Sequence, residues 1–274
     1  MRLSEKSLSQ LPASVAKPGY DRSKVVGSIV HLGIGAFHRA HQAMFTDAVL
    51  ASGDLAWGIV GAGVISADMK NALLPQDCLY ALAEMGADAE KVRVIGSIID
   101  VLGGAEDADK LLAKMSDIST RIVSITVTEK GYYLDPATGL LQLQAPAIAA
   151  DLAAPATPKT ILGLIVQALK QRKAAGILPF TVLSCDNLPN NGKLAKAAVL
   201  AFAREVDADL ATWIEANVCF PCTMVDRITP ATTDADRAHV TGVIGMDDAW
   251  PVVTEQFVQW VIEDQFTMGR PDWT

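Results

Sequence analysis

The 274-residue sequence contains no run of eighteen apolar residues, only four cysteines and no cluster of lysine and arginine. The first absence excludes a membrane-spanning helix and points to a soluble globular protein. The second excludes a disulfide-stapled secreted domain, and the charged, polar residues 1–22 lack the apolar core of a secretion signal, so a reducing cytoplasmic setting is expected. The third, with 23 basic against 31 acidic residues and a net charge of −8, disfavours nucleic acid as a partner. Also missing are G-x-S-x-G, H-E-x-x-H and a P-loop, which removes three common catalytic designs. Cys219 and Cys222 form a lone C-x-x-C. A structural zinc needs a second pair or histidines at ligand spacing, and His239 stands alone, so the two thiols read as small hydrophobes and no metal is expected.

What is present is ample apolar material, 50% of residues. A chain of this length buries roughly 75% of its unfolded surface. Residues 23–33 pack β-branched side chains together and then turn on glycines, as a strand buried on both faces does. Residues 38–51 repeat apolar positions at helical spacing. Further buried strands are predicted at 56–60, 92–99, 122–127 and 180–184, with helices at 106–115 and 159–175 between them. Alternating strands and helices predict an α/β fold, a doubly wound, mostly parallel sheet with helices on both faces. Later helices are predicted at 193–205, 209–217 and 256–266, a Pro/Thr-rich connection at 220–233 and a strand near Val252. No internal repeat or flexible linker divides the chain.

Gly33, Ile34, Gly35, Ala36, Phe37 and His38 connect the first strand to a helix, where glycines let backbone approach a pyrophosphate. The dinucleotide fingerprint is incomplete, since His38 occupies the third glycine position and no acid ends the second strand. A plain tight strand-to-helix connection fits two glycines equally well. The nearest acid beyond that strand is Asp68, which could meet an adenosine ribose and repel a 2′-phosphate, favouring NAD over NADP; as an exposed helix cap it would do neither. A Tyr-x-x-x-Lys pair at Tyr20 and Lys24 precedes the first strand and is coincidental.

Five ordered blocks are more specific: HLGIGAFHRAHQ at 31–42, TVTEKGYYLD at 126–135, SCDNLPNNG at 184–192, FPCTMVDRITP at 220–230 and DDAWPVVTEQFVQWVIEDQF at 247–266. Together they closely resemble the mannitol dehydrogenase family, the polyol-specific long-chain dehydrogenase/reductases, along essentially the whole chain. The resemblance implies a metal-independent, NAD-dependent interconversion of a polyol and a ketose, D-mannitol and D-fructose. It also implies that residues 1–274 form an NAD(P)-binding Rossmann-type domain, with the active site facing a second, helical domain that this sequence largely lacks.

Site residues follow from the same resemblance. Ile29, Val30, His31, Leu32, Gly33, Ile34, Gly35, Ala36, Phe37, His38, Arg39 and Ala40 wrap the cofactor, joined by Asp68 and Thr128. Asn187 bonds the substrate's reacting oxygen, where an amide N–H suits a developing alkoxide; a turn role before Pro189 is the competing reading. Glu129 lies on a proton path to solvent, where an apolar setting suits relay chemistry, or is a solvated strand-end acid. Asp226 walls the polyol site, or pairs with neighbouring Arg227. The family's mannitol dehydrogenases carry two acids where this sequence has Ala67 and Asp68, which implies a relaxed cofactor preference. The family's general-base motif, K-x-x-x-x-N-x-x-H, does not occur, and Lys196 is the last lysine. A fructuronate- or mannonate-type oxidoreductase and a non-catalytic NAD-binding protein are the alternatives. Self-association is expected through apolar surface around 220–224 and 250–260.

Overall fold

The computed structural model describes residues 1–64, 66–86 and 90–274. After an N-terminal segment with short 3-10 turns, β1 (Gly27–Leu32) leads to α1 (Ala36–Ala40), α2 (Gln42–Ala51), β2 (Gly58–Gly63) and α3 (Asp68–Leu73). The antiparallel pair β3 (Tyr80–Met85) and β4 (Glu90–Ile95) precedes β5 (Ile98–Gly103), α4 (Ala108–Ser116) and β6 (Ile122–Ile125). Then come α5 (Pro146–Ala153), α6 (Ile161–Ala174), β7 (Thr181–Ser184), α7 (Asn191–Val206) and α8 (Ala208–Asn217). The chain closes with β8 (Thr223–Asp226), α9 (Asp234–Ile244), β9 (Val252–Glu255) and β10 (Gln259–Ile262).

The central sheet has the order β5-β2-β1-β6-β7, every neighbour parallel. Alternate residues of each strand feed opposite cores, because successive side chains point to opposite faces. Val30, Leu32, Val123 and Ile125 join α4, α6, α7 and α8 in one core, and Ile29, Ile59 and Ile122 join α2, Trp57 and Trp273 in the other. A third core gathers Leu3, Leu11 and Val15 under β3, β4 and α9. The expected doubly wound sheet is therefore present. The chain runs outward from β1 to β2 and β5, then returns to start β6 on β1's other side. Loops after β1 and β6 thus part at a topological switch point, where open α/β sheets bind ligands.

Several expectations need correction. The strand expected at 92–99 is two strands broken at Gly96, where a Cβ would meet Pro18 Cγ at 2.6 Å; its halves serve different sheets. The helix expected at 256–266 is instead β10, antiparallel to β8. Its partly buried Val258, Trp260 and Ile262 alternate with exposed Gln259, Val261 and Glu263, a period of two that the aromatic and apolar density hides. The connection at 220–233 contains β8, and α3, β3, α5 and α9 were not anticipated.

Candidate active site

The turn after β1 is built around one glycine. Gly33 has φ +101°, and a Cβ there would stand 2.1 Å from the Thr126 carbonyl oxygen, so no other residue fits. Gly35 differs. Nothing but the Gly33 oxygen, at 3.8 Å, approaches its missing Cβ, so a side chain would project into open cleft.

Beneath the turn lies a buried polar cluster. His31 pairs across the sheet with Ser124; its Nδ1 lies 2.8 Å from Ser124 Oγ and its Nε2 2.8 Å from Thr126 Oγ1. Thr126 Oγ1 donates to the Gly33 carbonyl at 2.7 Å, tying the β6 loop to the turn. The His38 ring stacks on His31 at 3.4 Å between centroids, and both its nitrogens are without a protein partner among the described residues. Burial pushes His31 down to about 3, His41 to about 4, and His38 well below its ordinary value, so all three rings are neutral near pH 7.

The loop after β6 carries the second constraint. Thr128 has φ +65°, a conformation that costs a β-branched residue of order 1–3 kcal/mol and persists only where surroundings enforce it. Asp186 enforces it: its Oδ1 accepts the Val127 and Thr128 N–H groups at 2.8 and 2.9 Å, and its Oδ2 the Tyr132 hydroxyl at 2.7 Å. Burial pushes the Tyr132 phenol up, so it stays a donor. Next, Asn191 opens α7 and bonds Asp186 O, Thr223 O and Thr223 Oγ1 at 2.9 to 3.0 Å, which fixes β8 against the same loop.

These constraints create a cleft of about 590 Å³ lined by Gly33, Gly35, His38, Thr128, Asn187 and Asp226 among others. A second cleft of about 600 Å³ shares Gly33, Gly35, Thr126 and Thr128 with it and continues over Gly63, Ser66, Met69, Lys130 and Lys159. Together they form an elongated groove across the switch point, the shape an extended two-part ligand requires.

The structure thus brings Gly33, Ile34, Gly35, Ala36, Phe37, His38, Thr128, Asn187 and Asp226 to one groove. Ile29, Val30, His31 and Leu32 are buried in β1, and Arg39 and Ala40 behind α1, where Arg39 packs on Tyr80 and donates to Trp250 O. They support the turn and do not line the groove, because β1 is covered on both faces. Asp68 is exposed at the start of α3 and accepts from Ser66 Oγ at 3.1 Å; Ser66 and Met69 beside it reach the groove. Glu129 is exposed and lines a different hollow, with Tyr133, Leu134 and Leu194. Asp226 is exposed, and its alternative partner Arg227 points the other way, to Glu84 Oε1 at 2.5 Å. Tyr20 bonds Asp47 and Lys24 pairs with Asp21, away from the groove. Among the described residues no group of three or more His, Cys, Asp or Glu is placed to hold a metal. Asp186 and Asn191 lie inside the 184–192 block and Tyr132 inside the 126–135 block, but no role was assigned to them from sequence, because their roles exist only once β6, β7 and β8 are adjacent.

The family model described as the mannitol dehydrogenase Rossmann domain matches residues 27–274. A mannitol 2-dehydrogenase of Pyrenophora tritici-repentis is 46% identical over 99% of this chain and 48% of its own length. The D-mannonate oxidoreductase of Escherichia coli is 46% identical over 97% of this chain and 55% of its own. The solved mannitol 2-dehydrogenase of Pseudomonas fluorescens, in ternary complex with NAD and D-mannitol, superposes with a TM-score of 0.96 at 49% identity, covering all of this chain and 56% of that one. The chain spans about half the length of these relatives. With its five-stranded parallel sheet and switch-point groove, the chain belongs to the mannitol dehydrogenase family.

Proposed function

We propose that residues 1–274 act as the cofactor-binding half of an NAD-dependent polyol dehydrogenase interconverting D-mannitol and D-fructose. The observation that carries this reading is the convergence of the Gly33 turn, Thr128, Asn187 and Asp226 on one groove. The residues fit the dinucleotide: Gly35 leaves the groove floor open, and the Gly33 turn lets backbone approach a pyrophosphate. When bound, NAD supplies the acceptor for the hydride leaving the polyol carbon. Asn187 donates its amide N–H to the reacting oxygen, an interaction whose removal costs about 3 to 4 kcal/mol of transition-state stabilisation. Asp226 accepts from sugar hydroxyls, and Glu129 is assigned the solvent end of the proton path. The general base that the resemblance implies lies outside these residues.

One feature favours a neutral polyol over a sugar acid such as mannonate. The groove offers an exposed carboxylate at Asp226, whereas among the described residues the one cation lining its substrate half, Arg227, has a buried side chain committed to Glu84 and the Ala40 and Glu255 carbonyls. Greater turnover of mannitol than of mannonate, in a preparation containing both halves of the site, is the expected result. The reverse order would replace this reading with the sugar-acid one.

Cofactor binding is tested on the chain itself by energy transfer from its five tryptophans to NADH. Saturable transfer, weaker with NADPH, is expected; no saturation with either contradicts the proposal. We also propose self-association. Met224 and Val261 face each other across β8 and β10 at 43% and 54% exposure, with Ile228 and Phe257 also exposed, whereas Trp260 packs inward on His41 and Trp273. Sedimentation velocity at high concentration should show species larger than a monomer, and a clean monomer would refute it. The four unpaired thiols support a reducing, cytoplasmic setting. Among the described residues no helix is long and apolar enough to cross a membrane.

A further inference from the structure

Lys70 lies on α3, two residues past Asp68, with its side chain only 19% exposed. Its Nζ stands 2.5 Å from Asp107 Oδ2 and 3.2 Å from Glu106 Oε1. Asp107 is itself buried: Oδ1 meets Lys110 Nζ at 3.0 Å, and Oδ2 accepts the Gly103 N–H at 3.1 Å. The Lys70 ammonium is therefore held by a carboxylate anchored to backbone. Each partner keeps the other charged, since the Asp107 contact raises the Lys70 pKa and Lys70 holds the Asp107 carboxyl well below the usual range.

The location of this ion pair is specific. Asp107, Gly63, Val64 and Gly103 line a cavity of about 260 Å³ at the carboxyl ends of β2 and β5, and Gly63 and Val64 also line the dinucleotide groove. The segment between is closely packed, for a Cβ on Gly63 would come 2.4 Å from Ser66 O and one on Gly103 3.1 Å from it. Lys70 is thus tied down beside the place where the loop after β2 meets the groove.

We propose that Asp107 and Glu106 set cofactor preference by sequestering Lys70, so that α3 presents carboxylates and no free cation to the 2′-phosphate that distinguishes NADP(H) from NAD(H). This inference rests on the NAD reading above. A phosphate monoester carries about −1.5 to −2 charges at neutral pH and needs a cation partner, and a lysine already bonded to two carboxylates is spent. Exposed Asp68 and Glu106 add repulsion. The preference that a single acid at Asp68 leaves weak is in this way restored from α4's end of the sheet. Lys130, exposed in the loop after β6, and Lys159, exposed before α6, also line the groove and are the competing cations that the test must separate.

The test is the tryptophan energy-transfer titration with NADH and NADPH, applied to the unaltered chain, E106Q, E106Q/D107N and E106Q/D107N/K70M. The ratio of NADPH to NADH dissociation constants should fall about threefold in E106Q and about tenfold in the double variant, and return when K70M is added. E106Q changes one side chain that is 67% exposed, so it reports even where the double variant does not fold. An unchanged ratio with NADH binding intact would overturn the sequestering role alone. So would a gain that survives K70M and disappears when Lys130→Met or Lys159→Met replaces it. Failure of the unaltered chain to bind NADH would overturn the cofactor reading and this proposal together.

Discussion

Two glycines two residues apart do different work. At Gly33 the backbone needs φ +101° and has no room for a methyl group, so Gly33→Ala should cost about 3 kcal/mol or more of stability. Gly35 has ordinary φ and open space above it, so Gly35→Val should leave the urea midpoint nearly unchanged while abolishing NADH binding. If Gly35→Val binds normally, the groove is not the cofactor site. Gly33 was legible in the sequence because a backbone requirement leaves a mark in residue type, and Gly35 because a groove floor that must stay open to a ligand leaves one too. Asn187 and Asp226 were legible only through the family blocks. The carboxylate of Asp186, which holds the positive φ of Thr128, was not legible at all, since nothing local distinguishes a structural Asp from a solvated one.

Elements were legible where burial on both faces writes a continuous apolar run, as in β1, β6 and β7. They were not where a strand is covered on one face only, as in β10. The residues of β10 alternate in and out, but Trp260, Val261 and Ile262 stand together and mimic a helix face. α9 begins with a capping box at Thr233 and Asp236, a start signal masked by the Pro/Thr-rich stretch that precedes it. The small β8–β10 sheet that carries Asp226 is tied to β3 by Arg227, whose buried guanidinium meets Glu84 and two carbonyls. Breaking that pair leaves a carboxylate half-stranded in the interior. Arg227→Leu should therefore destabilise by about 3 kcal/mol, at the lower end for a buried pair because Arg93 still reaches Glu84 at 2.6 Å. The Glu84→Leu, Arg227→Leu double variant should cost less than Arg227→Leu alone, and equal or greater cost in urea melts would deny that the pair locks the two sheets.

For the molecule as a whole, acid sensitivity should originate under the cofactor turn. His31, His38 and His41 are held neutral in the fold and titrate near 6.5 when unfolded. The unfolded chain then binds more protons below that value, so the stability these rings contribute is complete above about pH 7 and is lost as pH falls toward 4. Each ring adds a slope of up to about 1.4 kcal/mol per pH unit. Half-buried Asp47 and buried Asp248, pushed up by desolvation, act in the opposite sense, but two acids do not cancel three bases. Urea midpoints should decline from pH 7.5 to 5, and a flat or rising profile would mean the histidine cluster is solvated.

The parallel sheet places the groove where β1 and β6 part, and every functional assignment depends on that placement. A crystal of this chain soaked with NAD and D-mannitol tests it most directly. The expected density runs from Ser66 over Gly35 to a nicotinamide ring between Thr128 and Asn187, with the polyol against Asp226. A dinucleotide bound elsewhere, or an empty groove in a crystal whose packing leaves it open at saturating NAD, would contradict the assignment.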